Sequence, residues 1–185
     1  PVTTNVRAWY NGNLETSWNM IPGLIGTITM LQVLMLTALS VAREREDGTF
    51  DQLLVTPIRP SEIMLGKAIP STVIGLIQAT IILLVAQLWF RIPFAGSLVT
   101  LYGGLIAFVI ADVGIGLFIS SLVANMQQAM LFSFILLMPF ILLSGLATPI
   151  ANMPDLFQWI TLIDPLRYAL DITRRGYLEG AGLGQ

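Results

Sequence analysis

The sequence contains no histidine and no cysteine. Without histidine it lacks the commonest general base and the commonest metal ligand, which excludes imidazole-based hydrolytic triads and His-based zinc sites. Without cysteine there is no disulfide framework and no thiolate chemistry, and no metal site is expected. Charge is also scarce: 11% of residues are charged, against ~25% in an ordinary soluble domain. The net charge is −2 and there is no basic run, so the electrostatic footprint of a nucleic-acid binder is missing and no nucleic-acid partner is expected. The sequence opens at Pro1 without a signal-peptide pattern, and it is expected to be a piece of a longer chain.

Apolar residues are plentiful, at 55% of the 185 positions, with a mean hydropathy of +0.79. So few charges cannot cover a globular surface, but in a bilayer lipid solvates the outer faces. The expected fold is therefore all-α, a polytopic membrane bundle of about four spanning helices. The first uncharged run, Trp18 to Ala42, makes ~35 Å of helix against a hydrocarbon core of ~30 Å. Trp18 suits the interface, and Pro22 falls in the first turns, where proline disturbs a helix least. The second run is Ala68 to Phe90 and the third Leu98 to Val123, carrying the single charge Asp112. The fourth is Met130 to Leu146, with Pro139 inside it; a membrane helix tolerates such a proline, often with a kink.

Residues 43–67, REREDGTFDQLLVTPIRPSEIMLGK, hold nine of the twenty charged residues. Thr49-Phe50-Asp51-Gln52 fits a capping box, and Asp51 suits the first turn of a helix. Pro57 disfavours helical geometry at Thr56, leaving about two turns with Phe50, Leu53 and Leu54 on one face. Such a helix is marginal alone in water, so the membrane surface, the bundle or a partner protein must hold it. One reading is an amphipathic connector resting on the bilayer, with Arg43, Glu44, Arg45 and Glu46 a solvated, mutually paired helix end; the other is a docking element. Basic residues do not fix orientation by count: Arg43, Arg45, Arg59 and Lys67 fall on one face, and Arg7, Arg91, Arg167, Arg174 and Arg175 on the other. Their density mildly favours 43–67 as cytoplasmic.

Beyond Gly145, Pro149, Asn152 and Pro154 interrupt the chain, and the apolar stretch Asp155 to Ile163 is too short to span, so it reads as interfacial or re-entrant. Asp164 before Pro165 is a helix start: a capping side chain, then proline at the first helical position. Arg174, Arg175 and Gly176 mark its stop.

Asp112 lies mid-run, where a carboxylate costs ~2.5–3.5 kcal/mol on insertion scales. It is expected to face the bundle, a partner subunit or a water-filled path, as a substrate or proton contact or as a protonated packing residue. Gly103, Ala107, Ala111 and Gly114 share a face that allows close helix contact. Gln32, Gln78 and Gln87 suit interhelical hydrogen bonds or a path lining. Gly66-Lys67 fails as a phosphate loop, because Ser61 and Ala68 depart from GxxxxGK[ST]; any ATP must be bound by another chain.

The stretch RERExGTFxQLLVTPIxPxEIxxGK, Arg43 to Lys67, resembles the cytoplasmic loop of type-2 ABC exporter permeases. SxxxNMQQAM, Ser121 to Met130, is similar to that family's next intracellular turn, and the segment from Leu142, LLSGLATPIANMPDLFQWITLIDPLRYALDITRRGYLEG, to its closing segment. The resemblance implies that Arg43 to Thr56 is the coupling helix, with Arg43, Glu44, Arg45, Glu46, Gly48, Thr49, Phe50, Leu53, Leu54 and Thr56 acting on an ATP-binding subunit. It implies an extracytoplasmic re-entrant hairpin over Ser144 to Asp164, including Gly145, Pro149, Asn152 and Pro154, and a translocation path with Asp112 as its candidate residue. It also implies a second permease copy, identical or related, and no cofactor in this chain, with ATP and Mg on the partner subunit. Residues 1–17 become an extracytoplasmic segment, 18–175 the transmembrane domain and 176–185 a loop before a further span. The first and last of the family's usual six spans are absent. A multi-pass location in a bacterial inner membrane is expected. Two rivals stay open: a secondary transporter or channel with an ion site at Asp112, and a non-transporting membrane scaffold.

Overall fold

The computed structural model describes residues 16–49, 57, 59–89, 97–146 and 150–174; for 16–22, Pro60 and Ala151 it describes the backbone alone. The interfacial setting expected for the Trp18 side chain therefore lies outside the described residues, while Pro22 falls in the opening turns of the first helix, which starts at Thr16. The described segments are helical, with no strand among them: α1 Thr16–Glu46, α2 Pro60–Leu88, α3 Leu98–Leu122, α4 Met126–Leu143, α5 Asp155–Ile160 and α6 Pro165–Arg174, with 3-10 turns at Ile150–Asn152 and Thr161–Ile163. Four of these, α1 to α4, are long and apolar enough to cross a membrane. The chain is an all-α polytopic bundle.

The helices do not end where the apolar runs end. Helix α1 continues past Ala42 to Glu46 and stops in a backbone motif. Gly48 takes φ +70, the Thr49 N–H donates to the Glu44 carbonyl at 3.0 Å, and the Gly48 N–H donates to the Arg45 carbonyl at 3.2 Å. This is a Schellman stop, which satisfies helix-end carbonyls around a left-handed residue. Helix α2 starts at Pro60, well before Ala68, and carries Glu62 and Lys67 in its opening turns. Its first turn is closed by the Arg59 N–H donating to Glu62 Oε2 at 3.0 Å. Helix α4 runs Met126–Leu143 rather than Met130 to Leu146, shifted by caps at both ends. Hydropathy marks where lipid begins, whereas hydrogen-bond geometry marks where a helix ends.

Helix α1 is the hub. It packs against α2, α3, α4 and α6, and half of its apolar window is buried, against 22% for α2 and 17% for α4. Small residues let the backbones close in. A Cβ placed on Gly116 of α3 would lie 2.7 Å from Thr37 Cβ and 3.1 Å from the Leu34 carbonyl of α1, so only glycine permits this crossing. Helices α1 and α3 therefore run parallel, while α2 and α4, which start beside the end of α1, run back. Thr80 and Tyr102 hydroxyls meet at 2.9 Å between α2 and α3. Thr37, Thr72 and Ser133 each donate to the carbonyl four residues earlier, the usual way for a hydroxyl to be satisfied within an apolar helix. Ile69, Ile77, Ile81 and Leu88 of α2 and Leu131, Ile135 and Met138 of α4 are exposed, as befits faces solvated by lipid.

Candidate functional site

The charged end of the bundle is built from the last turn of α1. Here three consecutive side chains reach three different helices. Glu44 Oε1 pairs with Lys67 Nζ of α2 at 2.5 Å. Arg45 Nη1 donates to the carbonyls of Ser121 at 3.2 Å and Val123 at 3.0 Å, where α3 ends. Glu46 Oε2 accepts the Met126 N–H, the first of α4, at 2.9 Å. These contacts answer the backbone's own polarity. The last carbonyls of a helix and its first N–H groups lack internal partners, and they carry partial negative and positive charge. A guanidinium on the first and a carboxylate on the second is the favourable assignment of sign. Arg43 and Asp47 are exposed.

The α3–α4 turn is closed by its own pair. Asn125 Oδ1 accepts the Gln128 N–H at 2.8 Å, and Gln128 Oε1 accepts the Ala124 N–H at 2.9 Å. Asn-x-x-Gln before an apolar run carries the spacing of a capping box. The start of α2 was equally readable as proline at a first helical position.

Of the proposed coupling residues, Arg43, Glu44, Arg45, Glu46, Gly48 and Thr49 stand together at this end. Phe50, Leu53, Leu54 and Thr56 lie outside the described residues, as does the capping partner Gln52. Thr49 Oγ1 donates back to the Glu44 carbonyl at 3.2 Å, reinforcing the α1 stop. Glu44, Arg45 and Glu46 are thus not simply a solvated, mutually paired helix end: each is committed to another helix.

At the opposite end, α4 closes on Ser144, which is buried, and Gly145, with φ +86. Ser144 Oγ donates to the Ile141 carbonyl at 2.8 Å. A 3-10 turn and α5 follow, with Asn152 and Pro154 exposed; Pro149 lies outside the described residues. Asp164 Oδ1 accepts the Leu166 N–H at 2.9 Å, which starts α6 where the Asp-Pro pair predicts. Burial pushes the Asp164 carboxyl up to about 6, opposed by hydrogen bonds from the Leu166 and Arg167 backbone and by the Arg167 charge. The contacts of α6 fix its direction. Leu166 and Ala169 lie against Gly26, Leu170 reaches Gly23, and Ile172 lies against Gly104. Helix α6 therefore runs antiparallel to α1 and α3. Pro165 shares a groove with Ala111, ~20 Å of helix from Leu98. The hairpin thus dips back alongside the spans. Trp159 and Ile163 on it are 73% and 80% exposed, which suits lipid contact.

Asp112 is fully buried on the face of α3 that carries Val109 and Gly116, the face turned to the bundle. Neither of its carboxylate oxygens has a hydrogen-bond partner among the described residues. The small-residue face behaves differently from a packing seam: Gly103 and Gly114 have open space above them, while Ala107 and Ala111 line the α3–α6 groove. Gln32 faces outward. Among the described residues no group of three or more metal-ligating side chains converges.

Comparison with known proteins matches residues 5–178 to a family model described as ABC-2 type transporter. The "Probable multidrug ABC transporter permease YbhR" of Escherichia coli K12 is 47% identical over 178 residues, covering 96% of this chain and 48% of that protein. The "Probable multidrug ABC transporter permease YbhS" of the same strain is 32% identical over 183 residues, covering 97% and 48%. The "Inner membrane transport permease YhhJ", also from that strain, is 32% identical over 183 residues, covering 98% and 49%. The chain thus spans about half the length of the curated relatives it matches. No solved structure gives a significant match.

Proposed function

This chain belongs to the ABC-2 type transporter family, and we propose that it is part of the permease of an ATP-driven exporter, forming the translocation path and receiving mechanical work from a separate ATP-binding subunit. The observation that carries the reading is the charged end of α1, wired to α2, α3 and α4 at once. A push on the Arg43–Thr56 segment then reaches every span through side chains already in contact. ATP and Mg belong to the partner subunit, and a second permease copy completes the path. The charged end faces the cytoplasm, the hairpin over Ser144 to Asp164 caps the far side, and the membrane is a bacterial inner membrane, as the printed name of one relative suggests. Multidrug is likewise the printed description of two relatives, so an amphipathic organic cation is the first cargo to test.

The second reading rests on Asp112, buried with no hydrogen-bond partner among the described residues, as an ion site for gradient-driven transport. One assay separates the two: ethidium accumulation in inverted vesicles carrying the full permease with its ATP-binding subunit. ATP-dependent accumulation that vanishes without that subunit is expected. Accumulation driven by an ion gradient with the permease alone contradicts the exporter reading.

A further inference from the structure

Resting on the coupling reading above, we infer that Arg45 and Glu46 are positioning residues that clamp the α3–α4 turn to the end of α1, so that the turn travels with the coupling segment instead of being driven by separate contacts. The family resemblance groups both residues with the surface that meets the ATP-binding subunit, but their side chains point elsewhere. The Arg45 guanidinium straddles two carbonyls at the end of α3, Ser121 and Val123. One residue later, Glu46 holds the first N–H of α4, at Met126. A single dipeptide thus holds both sides of one turn, with opposite charges on opposite helix ends, so that each contact is charge-assisted.

The turn itself is stiff. Asn125 and Gln128 satisfy its free N–H groups within a span of five residues. The stop of α1 is also fixed, because Gly48 and Thr49 close the Schellman motif on the Arg45 and Glu44 carbonyls. Two rigid ends joined by three hydrogen bonds move as one body. The residues free to meet a partner at this end are then the exposed Arg43 and Asp47, together with the segment that follows.

The test uses the full permease with its ATP-binding subunit in lipid vesicles. Spin labels are placed at Leu36→Cys on α1 and Gln127→Cys on α4, exposed positions on the two bodies that the clamp joins and away from the docking residues; these 185 residues offer no competing cysteine. One narrow distance distribution is expected, identical in the nucleotide-free and nucleotide-trapped states. In the Arg45→Ala/Glu46→Ala background the narrow distribution is lost, while the ATP-binding subunit still co-purifies in equal amount. Glu46→Gln keeps an acceptor oxygen and retains the narrow peak. Arg45→Met, which keeps a long side chain but has no N–H donor, broadens it and serves if the double variant fails to insert. A distribution unchanged in both Arg45→Met and the double variant overturns the clamp. So does loss of the ATP-binding subunit with the distribution intact, which makes the pair docking contacts. Failure of every form to recruit an ATP-binding subunit contradicts the coupling reading instead, and is told apart because the clamp distance is measurable in the permease alone.

Discussion

Lys67 Nζ lies 2.5 Å from Glu44 Oε1, with the two side chains 11% and 32% exposed. The pair joins the last turn of α1 to the opening turns of α2, so it spans both flanks of the segment between them. A double-mutant cycle on thermal unfolding in detergent is expected to give a coupling of about 1 kcal/mol, the upper end for exposed ion pairs. The Lys67→Ala/Glu44→Ala double variant is expected to cost less than the sum of the single variants, since each single leaves a shielded charge without its partner. Simple additivity contradicts this.

Two glycines differ in what they tolerate. Gly48 has φ +70 with no atom within 4 Å of a built Cβ, and Gly66, inside α2, has equally open space with helical backbone. Gly48→Ala is expected to destabilise by about 1–2 kcal/mol through left-handed strain alone, and Gly66→Ala to stabilise by up to ~1 kcal/mol. Melting of the two variants side by side checks both signs.

Asp164 caps α6 through the Leu166 N–H. Asp164→Ala is expected to cost about 1 kcal/mol, and Asp164→Asn little, because asparagine caps as well as aspartate. Hydrogen exchange at Leu166 and Arg167 reads this locally: faster exchange in the alanine variant, and near-parental exchange in the asparagine variant.

Asp112 is expected to trade stability for function. Both of its oxygens are buried without partners among the described residues, so Asp112→Leu removes a cost of ~2.5–3.5 kcal/mol and is expected to raise the melting temperature while lowering transport. A variant that melts lower shows that Asp112 is held by bonds the bundle needs. A variant with unchanged ethidium transport removes it from the path.

What the sequence discloses follows from the range of each physical signal. The four spans were legible because lipid selects for uncharged runs, and the start of α6 because capping is local to Asp164 and Pro165. The ends of α1 and α2 were hidden from hydropathy, since those helices run on into water until Gly48 and Arg59 close them. The partners of Arg45 and Glu46 lie 76 to 80 residues away, beyond the reach of any local pattern. Small residues were visible, but which way they face was not. Gly103, Ala107, Ala111 and Gly114 suggested a seam, whereas the glycine of α3 that lies against α1 is Gly116. A spacing rule gives a face, and only the packed bundle says what lies opposite.

The central claim is that the segment beginning at the charged end of α1 receives the ATP-binding subunit. The most direct measurement is the affinity of that subunit for the full permease in nanodiscs, with and without Phe50→Ala, Leu53→Ala and Leu54→Ala in combination, and with Asn152→Ala at the far end as control. Saturable binding is expected, weakened roughly tenfold or more by the triple substitution, a loss of ~1.4 kcal/mol, and unchanged by Asn152→Ala. Equal affinity for the parent and the triple variant, or no binding by the parent, contradicts the account.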